Sequence, residues 1–134
     1  MRNFITYRNG VRLRQAAVLA WMAVIFAFSS MPGSDVPSRY GTLAHFVEYA
    51  ILGALLVGVF RDRKPSGAAA AWSTIAASAY AITDELHQAF VPGRVPDVSD
   101  WGVDTLGAFV GALLMTLLIS AANNEFARRN TVQS

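Results

Sequence analysis

The chain contains no cysteine, and only 15% of its 134 residues are Asp, Glu, Lys or Arg. The first absence removes disulfide frameworks, thiolate metal sites and thiol nucleophiles. The second, set beside a 54% hydrophobic content, is too apolar for a soluble domain of this size, and the length is too short for two domains. Also missing are a Gly-rich phosphate loop, a His-Glu-x-x-His pair and a Gly-x-Ser-x-Gly elbow, so nucleotide chemistry is not expected. The basic residues form no stripe of the kind that tracks a phosphate backbone, which argues against nucleic acid as a partner. No inverted internal repeat is visible, and four short helices enclose little space, which argues against a lone transporter or channel.

What is present is a series of apolar stretches over 13–30, 41–60, 68–90 and 101–122, each near the ~20 residues that a spanning helix needs. They predict an all-α integral membrane four-helix bundle made of one domain, 1–134. Arg2, Arg8, Arg12 and Arg14 ahead of Ala16 to Phe28 also resemble the charged and apolar regions of a secretory signal peptide. Ser29-Ser30-Met31-Pro32 offers no small-residue cleavage pattern, however, so a retained helix is expected. Short loops rich in Lys and Arg stay cytoplasmic. The four N-terminal Arg, then Arg61, Arg63 and Lys64, then Arg128 and Arg129 put both termini inside. The opposite loops carry only Arg39 and Arg94, beside Asp35, Asp97 and Asp100, and are therefore extracytoplasmic.

Five of the nine acidic residues fall between Asp84 and Asp104, wedged between two apolar stretches, where ionisable groups in a membrane protein mark function. At the same membrane level His45 and Glu48 enter the second helix, sharing a face with Tyr49 and Leu52. On the third helix, at 100° per residue, Gln88 projects between Asp84 and Glu85, with Tyr80 one turn deeper and His87 further round. Pro92-Gly93 and Pro96 break the chain into a turn with Arg94 at its tip. Asp97 or Ser99 is a natural N-cap for the fourth helix, and Asp97, Asp100 and Asp104 recur along one side of its first turns.

Structural roles compete with functional ones at each position. Asp97 and Asp100 can satisfy orphan backbone amides and the helix dipole, and capping is the expected role of Asp97. Asp104 lies a turn deeper, where an ionised carboxylate needs a partner such as Arg94 or His45. His45 and Glu48 could be interhelical hydrogen-bond glue, although Glu is a poor choice for that alone. A divalent cation held by His45 with Glu48, Asp84 and Glu85 stays open, and no other cofactor is expected. Gly107-x-x-x-Gly111, facing a small stripe of Ala50, Ala54 and Gly58, is expected to pack the bundle internally, leaving homo-oligomerisation open. Tyr40 and Trp101 at span ends fit interfacial anchoring.

The ordered set His45-Phe-Val-Glu48-Tyr49-Ala-Ile-Leu52-Gly, Asp84-Glu85-x-x-Gln88, Arg94, Asp100 and Gly107-x-x-x-Gly111 resembles the VanZ-like family, with Ser29-Ser30 also fitting its pattern. The resemblance implies a multi-pass protein of the bacterial cytoplasmic membrane whose namesake lowers susceptibility to the glycopeptide teicoplanin without the altered cell-wall precursor route. Thr42 stands where that family often has Lys, which weakens an inherited anion-binding role. Asp104 stands where Asn is frequent, which adds a carboxylate to the cluster.

Two functions follow as expectations. In the first, the polar site at the extracytoplasmic leaflet binds a membrane lipid, a lipid-linked envelope component or the acyl-anchored antibiotic itself. Tyr49, Gln88, Arg94 and Asp100 would contact the ligand. In the second, His45, Glu48, Asp84, Glu85 and Asp104 are acid and base groups of a membrane hydrolase or transferase acting on a lipid or lipid-linked wall substrate. There Glu85 or Asp84 exchanges a proton with the substrate, His45 with Glu48 shuttles it, Arg94 holds a phosphate or carboxylate and Gln88 orients the substrate.

Overall fold

The computed structural model describes residues 2–35, 41–64 and 66–132, with side chains over 7–35, 41–64 and 66–131. Arg39, Tyr40 and the side chain of Arg2, all invoked for topology or anchoring, lie outside the described residues. Four helices account for nearly all of what is described: α1 (Arg2–Ser29), α2 (Gly41–Phe60), α3 (Ser66–Gln88) and α4 (Val98–Val132). A short 3-10 turn, Gly33–Asp35, follows α1. The bounds of α2 coincide with those expected. By contrast α1 begins well before Leu13 and α4 runs ten residues past Ala122, because a helix once started adds one hydrogen bond for each residue that joins it, whether or not that residue is apolar.

By length and composition, α1 from Tyr7, α2, and α4 to Thr131 can cross a membrane. The third helix is long enough at 23 residues, but its Ser, Thr, Asp84, Glu85, His87 and Gln88 dilute its hydropathy. Those polar groups are largely turned inward. Its buried face is Ala69, Ser73, Ala77, Ala81 and Glu85 at four-residue spacing, with Asp84 and Gln88 beside it.

The outer surface shows what solvent the fold expects. Leu13, Leu19, Phe26, Leu43, Ile75, Leu106, Phe109, Leu114 and Leu118 are exposed, whereas the buried set is dominated by Ala and Ser around Ile25, Tyr49, Leu52 and Val57. Lipid tails remove any hydrophobic gain from burying Leu, so membrane helices associate through close backbone approach at small residues. The tightest instance joins α2 to α4, the most extensive helix pair in the bundle. A Cβ on Gly107 would fall 2.4 Å from the Phe46 carbonyl oxygen, one on Gly111 1.8 Å from that of Ala50, and one on Gly53 2.2 Å from that of Ala108. The GxxxG stretch therefore works inside the bundle. Its counterpart on α2 is Phe46, Ala50 and Gly53, while Gly58 instead faces Arg14 of α1.

Both α1 and α4 pack on α2 and α3 but, among the described residues, not on each other. The cross-section is thus a rhombus with α2 and α3 on its short diagonal. The first helix is fastened by side chains reaching across it: Trp21 Nε1 donates to the Glu48 carbonyl at 2.9 Å and Tyr80 OH to the Met22 carbonyl at 2.8 Å. With Val18 and Ile25 in the core, α1 is an integral member of the bundle.

Candidate functional site

Four helix ends meet at one pole of the bundle, and the connections there are built to hold them. After α3, Val91-Pro92-Gly93-Arg94 forms a turn closed by Arg94 N–H donating to the Val91 carbonyl at 3.1 Å. Proline at its second position and a φ of 74° at Gly93 make it type II, which only glycine enters without strain. The turn docks on the segment after α1: Gly33 N–H donates to the Pro92 carbonyl at 3.0 Å, and a Cβ on Gly33 would meet the Gly93 oxygen at 1.9 Å. Arg94 Nε reaches the Met31 carbonyl at 3.2 Å. Nearby, His87 stacks on Phe26 with centroids 4.4 Å apart and lies 3.0 Å from Ser30 Oγ.

Asp97 is the N-cap of α4, its Oδ1 accepting from Ser99 N–H at 2.8 Å. The Ser99 hydroxyl, and then its amide, hold this exposed carboxyl below the usual carboxylate range. Capping is the role the sequence suggests for Asp97, and the geometry agrees.

Between the ends of α1, α2 and α3 opens a cavity of about 300 Å³. Phe28, Met31 and Ala44 line it with apolar surface, and His45, Glu48, Asp84, Gln88, Arg94 and Ser29 supply its polar groups, with Asp35 of the 3-10 turn also present. Gln88 Nε2 donates to Asp84 Oδ2 at 3.2 Å. Asp84 is only 3% exposed, and among the described residues its other oxygen, Oδ1, has no hydrogen-bond partner, nor does the buried Ser29 Oγ.

Glu85 takes a different direction from Asp84. Adjacent residues on a helix point 100° apart, and Glu85 faces the start of α4, where its Oε2 accepts from Asp97 N–H at 2.9 Å. There it joins His45 and Asp104, so that one ligand atom from each lies within 4.8 Å of the others. His45 Nδ1 and Asp104 Oδ1 are 3.0 Å apart, with Asp104 fully buried. Of the two partners foreseen for Asp104, His45 is the one that meets it; Arg94 is spent on the segment after α1. A carboxylate and imidazole sharing one proton keep the same total charge wherever that proton sits, which suits a low-dielectric site.

Tyr49 lies fully buried below, its hydroxyl unpartnered, and Asp100 is half-buried. Glu85 Oε1 and Asp104 Oδ2 are unpartnered too. Thus five buried polar atoms, on Ser29, Tyr49, Asp84, Glu85 and Asp104, lack hydrogen bonds at this one pole among the described residues. Native interiors satisfy nearly all such atoms, so a concentration of them points to a bound group.

Among the described residues, the ligand atoms that come together are those of His45, Glu85 and Asp104, a grouping that shares His45 and Glu85 with the set His45, Glu48, Asp84 and Glu85 read from the sequence. Periodicity could align Asp84 and Glu85 with Gln88, but not tell which neighbour each would face. Asp35 escaped notice as a lining residue, and Ser29 stood out only through a family pattern. Ser29 closes the first span, and Asp35 lies in the short polar stretch before the second.

A family model described as VanZ/LLP1 matches residues 15–119. The chain belongs to the VanZ/LLP1 family. The match runs from within α1 to within α4 and takes in every site residue above, leaving out only the polar helix extensions. No curated protein and no solved structure matches the chain. As a VanZ/LLP1 protein with helices fit to cross a bilayer, it is a VanZ-like membrane protein.

Proposed function

We propose that the cavity receives the polar headgroup of a membrane lipid or lipid-linked envelope component at the extracytoplasmic leaflet of the bacterial cytoplasmic membrane. Occupancy would then change the susceptibility of the envelope to teicoplanin-type glycopeptides. The observation that carries this reading is the buried, unpartnered Asp84 Oδ1 in a cavity with apolar walls and a polar base. Its free groups are chiefly acceptors, so the headgroup should bring donors, an ammonium or sugar hydroxyls, while Arg94 and Gln88 meet its phosphate or carbonyl oxygens. The walls of Phe28, Met31 and Ala44 suit the first methylenes of an acyl chain. Placement at the outer leaflet follows from Arg61, Arg63 and Lys64 on the opposite loop.

A catalytic reading has one specific observation in its favour. Asp104 fixes one nitrogen of His45 while the same imidazole lines the cavity, which is how an orienting carboxylate prepares a histidine for proton transfer. Lipids and lipid-linked wall precursors should be compared by mass spectrometry in cells expressing wild type, Asp84→Asn or Glu85→Gln at matched levels. For a binder, one lipid class co-purifies with wild type and is depleted from Asp84→Asn, while cellular profiles stay alike. A lipid chemically altered only by wild type would instead establish the enzyme. Equal lipid retention by wild type and Asp84→Asn, with unchanged profiles, would overturn both. Topology is checked separately with single thiols, unique in a chain free of cysteine: Val95→Cys should react with an impermeant reagent from outside the cell and Lys64→Cys should not.

A further inference from the structure

We propose that His45, Glu85 and Asp104 form a divalent-cation site at the junction of α2, α3 and α4. One nitrogen and two oxygens from three separate helices lie within 4.8 Å of one another. Ligand atoms about 2.0–2.2 Å from a common ion lie at most about 4.4 Å apart, so a contraction of a few tenths of an ångström closes the trio onto one ion.

The free lone pairs are a second and separate observation. Each carboxylate has one oxygen engaged and the other without a partner: Glu85 Oε2 takes the Asp97 amide, Asp104 Oδ1 takes His45 Nδ1, and Oε1 and Oδ2 have nothing. Both side chains belong to residues more than nine-tenths buried, Glu85 at 8% exposure and Asp104 at 0%. A carboxylate oxygen accepts only, so a cation or a donor must face it. The engaged oxygen of Glu85 serves a further purpose, because a fixed second contact orients a ligating carboxylate.

Charge balance leads to the same ligand. Two carboxylates and a neutral imidazole sum to −2, which a divalent ion cancels in a low-dielectric setting. On binding, the ion takes the place of the proton that His45 Nδ1 shares with Asp104 Oδ1, and that proton is released to water. His45 also lines the cavity, which gives the ion a route from water. One imidazole with two carboxylates selects Zn²⁺ or Mn²⁺ over Mg²⁺ and Ca²⁺, which prefer all-oxygen shells. The site shares His45 with the cavity, but Asp84 and Gln88, which carry the headgroup reading, take no part in it.

The test uses the full chain in nanodiscs, with any affinity tag removed and metals stripped by a chelator. Titration calorimetry with Zn²⁺ and Mn²⁺ should show one ion per chain, with Asp104→Asn and Glu85→Gln each weakening binding 10- to 100-fold and Asp62→Asn at the opposite pole leaving it unchanged. Mn²⁺ bound to wild type should show a ¹⁴N hyperfine coupling from His45 in pulsed electron paramagnetic resonance. That readout stands even where a variant folds poorly. Absence of saturable binding to wild type, absence of the nitrogen coupling, or wild-type affinity in both folded variants overturns the assignment. Lipid co-purification with the metal-free protein reports on the headgroup proposal separately.

Discussion

At one pole of the bundle Arg14 pairs with Asp62, Arg61 lies 3.8 Å from the same carboxylate, and Arg129 bonds Glu125 at 3.0 Å, all in side chains that reach solvent, although Arg14 Nε itself is buried without a partner among the described residues. At the other pole Asp84, Glu85 and Asp104 are buried, and each leaves one oxygen unpartnered. The first arrangement is how charge is carried when it only sets solubility and membrane orientation: exposed pairs contribute little, and removing one costs little. In the second, buried acceptors stay unsatisfied in the unliganded fold, at a cost that only a ligand, an ion or a proton can offset. Charges are held in both places, and burial decides which of them are available for function.

The comparison is broken most violently by separating the helices that create the buried pole. Gly111→Ala places a methyl where the Ala50 carbonyl now sits, prising α4 from α2 at a cost of about 3 kcal/mol or more. Thermal unfolding in detergent should show a large fall in midpoint, and the His45 to Asp104 contact should go with it.

A smaller effect with the opposite sign sharpens the contrast. Asp84→Asn removes a buried charge while keeping the Gln88 contact, so the unliganded bundle should become more stable by about 1 kcal/mol, even as lipid retention falls. A denaturation midpoint below that of wild type would show that Asp84 is structural, with its free oxygen of no consequence to ligand binding.

Asp97→Ala tests a charge that belongs to neither class. Its Ser99 contacts hold the wild-type carboxyl below the usual range, so the folded state favours the ionised cap. That stability is present in full above the ordinary carboxylate range and is lost as pH falls through the lowered value. The gap in unfolding midpoint between wild type and Asp97→Ala should therefore narrow on acidification, measured from neutral to strongly acid buffer. A gap that widens would contradict the capping role.

The smallest effect is expected at the exposed pole. Asp62→Asn should change stability by less than about 1 kcal/mol, and raising the salt concentration in wild type should mimic it. A loss comparable to that of Gly111→Ala would remove the distinction between the two ends.

Much of this architecture was legible residue by residue. The largely apolar run between Gly41 and Phe60 gave α2 its limits, Pro92-Gly93 marked the turn, Asp97 marked the cap, and Gly107 with Gly111 marked the closest helix contact. The ends of α1 and α4 were less legible, since helical hydrogen bonding propagates past the point where hydropathy stops. The weak hydropathy of α3 is explained by its neighbours: Ser73, Asp84, Glu85 and Gln88 face inward, which a linear average cannot register.

The sequence by itself determined the elements and the pole at which charge collects, because both depend on local spacing and on the order of apolar and ionisable residues. Only the tertiary structure decided which of those charges meet. His45 and Asp104 are 59 positions apart, and Asp84 and Glu85, neighbours in the chain, serve different spaces, one facing the cavity and the other the α4 junction. Periodicity gives the angle of a side chain about its own helix axis, but a site also needs the rotation of each helix against the others. For α2 against α4 that rotation is set by Gly53, Gly107 and Gly111 packing against carbonyls of the opposing helix, so that small residues, which carry no chemistry, bring His45 and Asp104 together.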